Sequence, residues 1–422
     1  MNNAWRLTKP SIALVVMYLS MAISWVVFEP AYTGYLVAFA LFIFVMAPQI
    51  FGESRWGSGA DSVKLMGWVL FIGFVVAVTI AGQPALRDLF RDSGAIFSFL
   101  LGLFIIPRAL GRDWERPLFT ALSTLALIVS LWTLVGASRA YLAGASAYEW
   151  RGVYVPFAHT WLPYLLIAEY VRSRSVGASP EISFARIGLC TLALLLSLSR
   201  TGLVLLLIFG PVTLFFNARK WLFSGRGILL IGLGFVLAAF ALPKLLGLDV
   251  VQQRIDAGVG NDDLSLAWRA MENLALYDFI EDRGWWRWLT GFGLGARMPL
   301  PWGIVDFMDN TSIPHLHNSY MTLVLKFGCI GLGWILLSIG MLVARAHILR
   351  NGAPVLRIGG TWILLFVVCT AYTLQGMSEW SHLTFLGLSC ALLAKAGRAN
   401  ERAAADASRD LSSTTANPGA AR

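Results

Sequence analysis

Apolar runs of about 20 residues recur along the chain, each closed by a short polar or basic stretch. A helix needs roughly 20 mostly apolar residues to cross the hydrocarbon of a bilayer. The strands of a transmembrane β-barrel would show alternating segments about half as long, and that pattern is absent. The runs predict spans over 10–28, 31–51, 63–82, 94–107, 117–137, 154–172, 184–199, 201–216, 226–242, 318–347, 359–375 and 382–396, about twelve in all. Two are irregular. The run at 94–107 is short, and it either joins the amphipathic stretch Leu86–Phe90 or enters at a slant. The run at 318–347 is too long for one straight crossing. Gly328, Gly331 and Gly333 suggest a break, with 318–326 near the outer interface.

Composition agrees with the pattern. Of 422 residues, 57% are hydrophobic and only 14% charged, where a soluble domain carries about 25% charged residues. Mean hydropathy is +0.67. The fold class expected is an all-α integral membrane protein. Arg6 and Lys9 precede an apolar run from Ser11 to Phe28. That run is long for a signal peptide and lacks a small-residue cleavage site, so it reads as an uncleaved first span. Cys190, Cys329, Cys369 and Cys390 lie in apolar runs with no Cys-x-x-Cys spacing. They read as small buried residues, with no support for disulfides or zinc.

An even number of crossings returns both termini to one side. With the termini inside, about 21 of the 33 Lys and Arg fall in inner segments and about 12 outside, although the outer side carries the longest loop. Both termini are therefore expected to be cytoplasmic. The same asymmetry accounts for the net charge of +9 without nucleic-acid binding. The expected organisation is membrane helices within 1–242, an outer loop over 243–317, membrane helices within 318–396 and a disordered cytoplasmic tail over 397–422, rich in Ala, Ser, Thr and Asn. In the outer loop Leu264, Trp268, Met271 and Leu274–Leu276 predict an amphipathic helix, with Asp262 or Asp263 capping its start. Gly291-Phe-Gly-Leu-Gly295 marks a tight turn.

Several polar residues stand where chemistry could occur. His315 and His317 lie in Pro314-His-Leu-His-Asn-Ser-Tyr320, where the outer loop re-enters the membrane. They could be an interfacial pair anchoring the helix start, with Asn318 or Ser319 as its cap. They could equally supply a general base, because histidine titrates nearest neutral pH. Arg200, in Ser197-Leu-Ser-Arg-Thr-Gly202, lies between two apolar runs with almost no loop. It either snorkels to headgroups or clamps an anion through its planar fork. Arg269 lies mid-helix, beside Glu272 and Asn273, which could simply pair with it. Arg151, before the sixth span, and His159, just inside it, are either satisfied bundle residues or liners of an outer cavity.

Four features follow one order: Ser199-Arg-Thr-Gly202; the Arg269 helix; the Gly291–Gly295 turn; and His317-Asn-Ser-Tyr320 leading to Phe327-Gly-x-x-Gly-Leu332. In that order and spacing the chain resembles the bacterial O-antigen ligase and O-antigen polymerase superfamily, best over 192–342. Arg151-Gly-Val-Tyr154 and the span layout extend the likeness. The resemblance implies a GT-C-type glycosyltransferase in the bacterial inner membrane, acting at the periplasmic face without a metal or cofactor. It implies a glycan donor on undecaprenyl pyrophosphate and a lipid A–core acceptor in lipopolysaccharide assembly. Trp285-Trp286 is followed by Arg287, where the metal-dependent oligosaccharyltransferases carry Trp-Trp-Asp.

On this reading His317, which precedes Asn318 as in the family's His-Asn-x-Tyr pattern, is the base, and Arg200 and Arg269 hold the pyrophosphate. Arg151, His159, His315, Asn318 and Tyr320 are expected to contact substrate. The aromatic load of 26 Phe, 17 Trp and 11 Tyr suits contact with membrane lipids. O-antigen polymerase and protein O-oligosaccharyltransferase are the nearest alternatives. A lipid-linked glycan transporter is the alternative of a different class. It should show repeats and midplane polar residues, whereas polar residues here collect at the outer end.

Overall fold

The computed structural model describes residues 8–27, 32–51, 62–111, 113–146, 149–155, 158–174, 180–198, 202, 208, 264–299, 312–348, 354–373 and 380–415. Helix dominates, and it follows the apolar runs. The helices are α1 (Lys9–Val27), α2 (Tyr32–Phe51), α3 (Ser62–Gly82), α4 (Leu86–Leu100), α5 (Ile106–Leu110), α6 (Glu115–Leu142), α7 (Ala158–Arg174), α8 (Pro180–Leu196), α9 (Leu264–Glu281), α10 (Arg287–Thr290), α11 (Ser319–Ile348), α12 (Pro354–Thr373) and α13 (Trp380–Thr415). A π turn, Leu101–Ile105, joins α4 to α5, so the amphipathic stretch and the short run form one continuous helix. The spans expected at 201–216 and 226–242 lie outside the described residues, as does the expected cap at Asp262 or Asp263.

Among the described residues, three helices are long and apolar enough to cross a membrane: Leu86–Leu110, Glu115–Leu142 and Ser319–His347. Shorter apolar helices accompany them, including Lys9–Ile23 and Leu356–Ala371. Phe44, Phe104, Trp132, Leu337 and Met341 point outward, as a lipid-facing surface requires and a water-facing one would not tolerate. The inner faces meet around Tyr18, Trp161, Tyr164 and Phe385, all buried. Tyr164 stacks on Phe385 at 4.2 Å between centroids, and Trp161 meets Tyr18 edge-on at 5.5 Å. In lipid, close packing of this kind replaces the hydrophobic effect as the force between helices.

The helical architecture expected is seen among the described residues, joined by one two-residue ladder in which β1 (Met298–Pro299) pairs antiparallel with β2 (Ser312–Ile313). Two expectations are corrected. The residues after 396, expected to be disordered, continue α13 to Thr415. Alanine is the best helix former, and from Arg398 to Thr415 no Gly or Pro interrupts the run. In α9 the buried stripe is Leu276, Phe279 and Ile280, whereas Met271 and Leu274 of the expected stripe face outward.

The bundle has two distinct ends. The continuous helix Leu86–Leu110 has 25 residues, so at about 1.5 Å each its ends are roughly 37 Å apart. At the Leu110 end, Ser11 donates to the Pro117 carbonyl, and Lys395 pairs with Glu115. The start of α1 and residue 395 of α13 therefore lie at the same end. Nearby, the buried Glu169 on α7 accepts from Arg172, from Arg186 of α8 and from Ser123 of α6, tying three helices together.

The Leu86 end holds the glycine turn that follows α10. Inside α11, Gly328 has φ 65° and ψ −174°, so the helix breaks there as its glycines suggest. The break releases the carbonyls of Leu325 and Lys326, which accept from the N–H groups of Phe292 (2.9 Å) and Gly293 (2.8 Å). Gly291, Gly293 and Gly295 all have positive φ, confirming the tight turn. At Gly291 a Cβ would stand 2.6 Å from the Gly328 nitrogen and the Lys326 carbonyl oxygen. Both the backbone angle and the contact therefore demand glycine there.

A buried charge cluster closes the joint. Lys326 Nζ lies 2.6 Å from Asp92 Oδ2, with side-chain exposures of 4% and 3%. The same ammonium donates to the Ala296 carbonyl at 2.6 Å, and the Gly295 N–H donates to Asp92 at 2.6 Å. Arg91 bonds both Asp92 and Asp88, and Arg297 bonds Asp88 and Ser312. Removing one partner of a buried pair costs about 3–5 kcal/mol. Lys326→Met should therefore destabilise the protein strongly, and Asp92→Leu/Lys326→Met should recover a substantial part of the loss. Denaturant unfolding in detergent measures this cycle, and a double variant as unstable as the sum of the singles would contradict the coupling.

Candidate active site

The site is built where the chain passes from β2 into α11. Leu316 is fully buried in a small core with Leu276, Phe279, Ile280, Met298, Val324 and Leu325, clamping the chain between α9 and α11. The residues on either side of it turn to different partners.

His317 turns to α9. Its backbone N–H donates to Glu272 Oε2 at 2.8 Å, and its Nδ1 lies 2.9 Å from Glu272 Oε1. A carboxylate only accepts, so Nδ1 carries a proton, and in the neutral tautomer that this contact selects Nε2 holds the lone pair. Trp268 Nε1 donates to the same carboxylate at 2.6 Å. Three donors thus fix Glu272, whose side chain is 2% exposed, while the imidazole is 42% exposed. This arrangement holds a partly exposed imidazole on a buried carboxylate. Arg269 lies three residues before Glu272 and Asn273 directly follows it. Among the described residues, Arg269 Nε and Asn273 Oδ1 are buried without a hydrogen-bond partner. Buried polar atoms are normally paired, so α9 has polar capacity to offer within a turn of Glu272.

His315 turns to α4. Its Nε2 lies 3.5 Å from Asp92 Oδ1. Burial, and next the ammonium of Lys326, push its pKa down from 6.5 to about 3 against the pull of Asp92. His315, an expected substrate contact, is therefore neutral and packed into the charge cluster. Two further expected substrate contacts are used structurally. Asn318 Oδ1 accepts from the N–H groups of Tyr320 (3.1 Å) and Met321 (3.4 Å), capping α11, because a helix start has N–H groups with no intrahelical acceptor. The Tyr320 hydroxyl donates to the Val368 carbonyl at 2.7 Å and ties α11 to α12.

Arg200 lies outside the described residues. Arg151 lies in the π turn Trp150–Tyr154 and His159 in the first turn of α7, and their side chains lie outside what is described. The structure thus brings together His317 and the Arg269 helix. Reasoning from the sequence missed Glu272 as the partner of His317 and missed the Asp88–Asp92–Lys326 cluster. A signal for the cluster existed, since Lys326 is an ionisable residue within an apolar run. No spacing rule joins residues 272 and 317.

Compared with models of protein families and with curated proteins, the chain matches none.

His315 makes stability depend on pH. Between its folded value of about 3 and its ordinary 6.5, the unfolded chain binds more protons than the folded one. Its contribution is complete above about pH 6.5 and is lost as the pH falls toward 3. Thermal unfolding should shift to lower temperature on acidification from about pH 7 to pH 4, and His315→Asn should flatten that shift. Identical pH slopes in the two proteins would contradict the assignment.

Proposed function

We propose that this chain is a glycosyltransferase of the O-antigen ligase type, built as a GT-C-like bundle of about twelve spans. It transfers a glycan from undecaprenyl pyrophosphate to a sugar hydroxyl of lipid A–core at the periplasmic face of the bacterial inner membrane, with both termini in the cytoplasm. The observation that carries the reading is the pairing of His317 Nδ1 with the buried Glu272. A sugar hydroxyl is barely acidic, so it gains from a positioned base as its bond to carbon forms. His317 Nε2 takes the hydroxyl proton, the hydroxyl oxygen bonds to the anomeric carbon, and the bond from that carbon to the pyrophosphate oxygen breaks. Glu272 holds the imidazole in the accepting tautomer and stabilises it once protonated. Arg269 and Arg200 take the charge growing on the pyrophosphate, the role a divalent cation fills elsewhere. Base and arginines lie on opposite sides of the sugar carbon, so the transfer inverts its configuration.

The test is transfer by purified protein, in buffer containing EDTA, from undecaprenyl-pyrophosphate glycan to lipid A–core or to a second lipid-linked glycan. Extension of lipid A–core is expected, and extension of the lipid-linked glycan alone would make the protein a polymerase. His317→Ala should lose about 10²–10⁴-fold in rate while still binding donor. Glu272→Gln, which can offer the imidazole a donor and so reverse the tautomer, should lose much of the rate as well. His315→Ala should lose less than either, and full activity in the His317 variant would remove histidine from the mechanism. Arg200→Lys and Arg269→Lys keep the charge but lose the planar fork, and each should impair turnover strongly. Near-normal rates in both lysine variants would rule out the clamp.

A further inference from the structure

The turn from α9 into α10 carries four residues that the transfer chemistry does not use: Arg283, Trp285, Trp286 and Arg287. Trp285 is 74% exposed and Trp286 44%, with the exposed Leu289 following on α10. The Arg283 guanidinium carbon lies 3.8 Å from the centroid of Phe279, and that of Arg287 lies 3.9 Å from Trp286. Their hydrogen bonds run to backbone carbonyls, of Phe279 and Gly291. Among the described residues neither guanidinium pairs with a carboxylate. Burial, and next the neighbouring charge of Arg283, hold Arg287 below its ordinary value. Ring faces orient these two cations without neutralising them.

Their level in the molecule is fixed by close backbone contacts. Leu289 abuts Gly328 at the break in α11, and the Phe292 carbonyl abuts Gly82 at the end of α3. Beyond the break, α11 turns Ile330, Leu337 and Met341 outward. The tryptophan turn therefore lies close to α11 at its break, where the outward apolar residues of that helix begin. Indoles collect at the headgroup layer, where one edge is apolar and the N–H is wet. Unneutralised arginines beside them complement anionic headgroups.

We propose that Arg283, Trp285, Trp286, Arg287 and Leu289 form a docking surface for anionic phospholipid. The guanidinium groups take the headgroup phosphates, and the indoles and Leu289 lie among the glycerol and upper acyl carbons. The surface holds the outer segment down on the bilayer independently of the transfer reaction.

Native mass spectrometry of the full chain, delipidated and offered phosphatidylglycerol or phosphatidylcholine, tests the headgroup preference. The wild type should retain phosphatidylglycerol in preference, and Arg283→Gln/Arg287→Gln should weaken that retention on the order of 10-fold. The doubly lysine-substituted protein should keep the preference, which separates loss of charge from misfolding. Equal retention of both lipids by the wild type, or an unchanged preference in the glutamine variant, would overturn the proposal. So would displacement of phosphatidylglycerol by lipid A, which would make the patch an acceptor contact. In nanodiscs, phospholipid brominated high on its acyl chains should quench the wild type more than Trp285→Phe/Trp286→Phe, and equal quenching would also overturn it.

Discussion

The contact between Lys326 and Asp92 governs how the two parts of this protein meet. Each charge would be costly alone in an apolar environment, and the pair is tolerable because further hydrogen bonds accompany it. Lys326 reaches a backbone carbonyl, and Asp92 receives a backbone N–H and a guanidinium. Those backbone groups, the Gly295 N–H and the Ala296 carbonyl, lie at the end of the glycine turn and not in the helices that carry the charges. The ion pair therefore does more than join α4 to α11, because it pins the turn between them.

The position of the base follows from that pin. The turn takes up the carbonyls released at Gly328, Leu316 fills the small core beneath α9, and His317 is left against Glu272. His315 and His317 are two residues apart yet differ in environment. One is buried among charges and held neutral, and the other is partly exposed with its Nδ1 committed to Glu272. Burial makes the first a structural element and partial exposure makes the second usable, a division that residue type alone does not reveal.

Much of the fold was legible because bilayer thickness imposes a length on every crossing. The run at 94–107 was short only because its amphipathic first turns, with Asp88, Arg91 and Asp92, did not count as apolar. The break in α11 and the turn at Gly291 were legible too, since glycine is the residue that a positive φ selects. What escaped is tertiary. Glu272 stands as near in sequence to Arg269 as helix pairing requires, but the fold gives its carboxylate to Trp268 and to a histidine 45 residues away. The expected stripe on α9 failed because Met271 and Leu274 are apolar yet face outward. Composition suggested disorder beyond residue 396, whereas helix propensity carries α13 on to Thr415.

Asp92 and the Gly295 N–H that it binds are 203 positions apart in the chain. At roughly 5–20 residues per second, a ribosome needs on the order of 10–40 s to supply the second after the first. Throughout that interval α4 carries its acidic turn without the lysine and the backbone donor that later satisfy it. In that interval Arg91 of the same turn is the partner at hand for Asp88 and Asp92, so the local salt bridge holds the acidic turn until its distant partners are made.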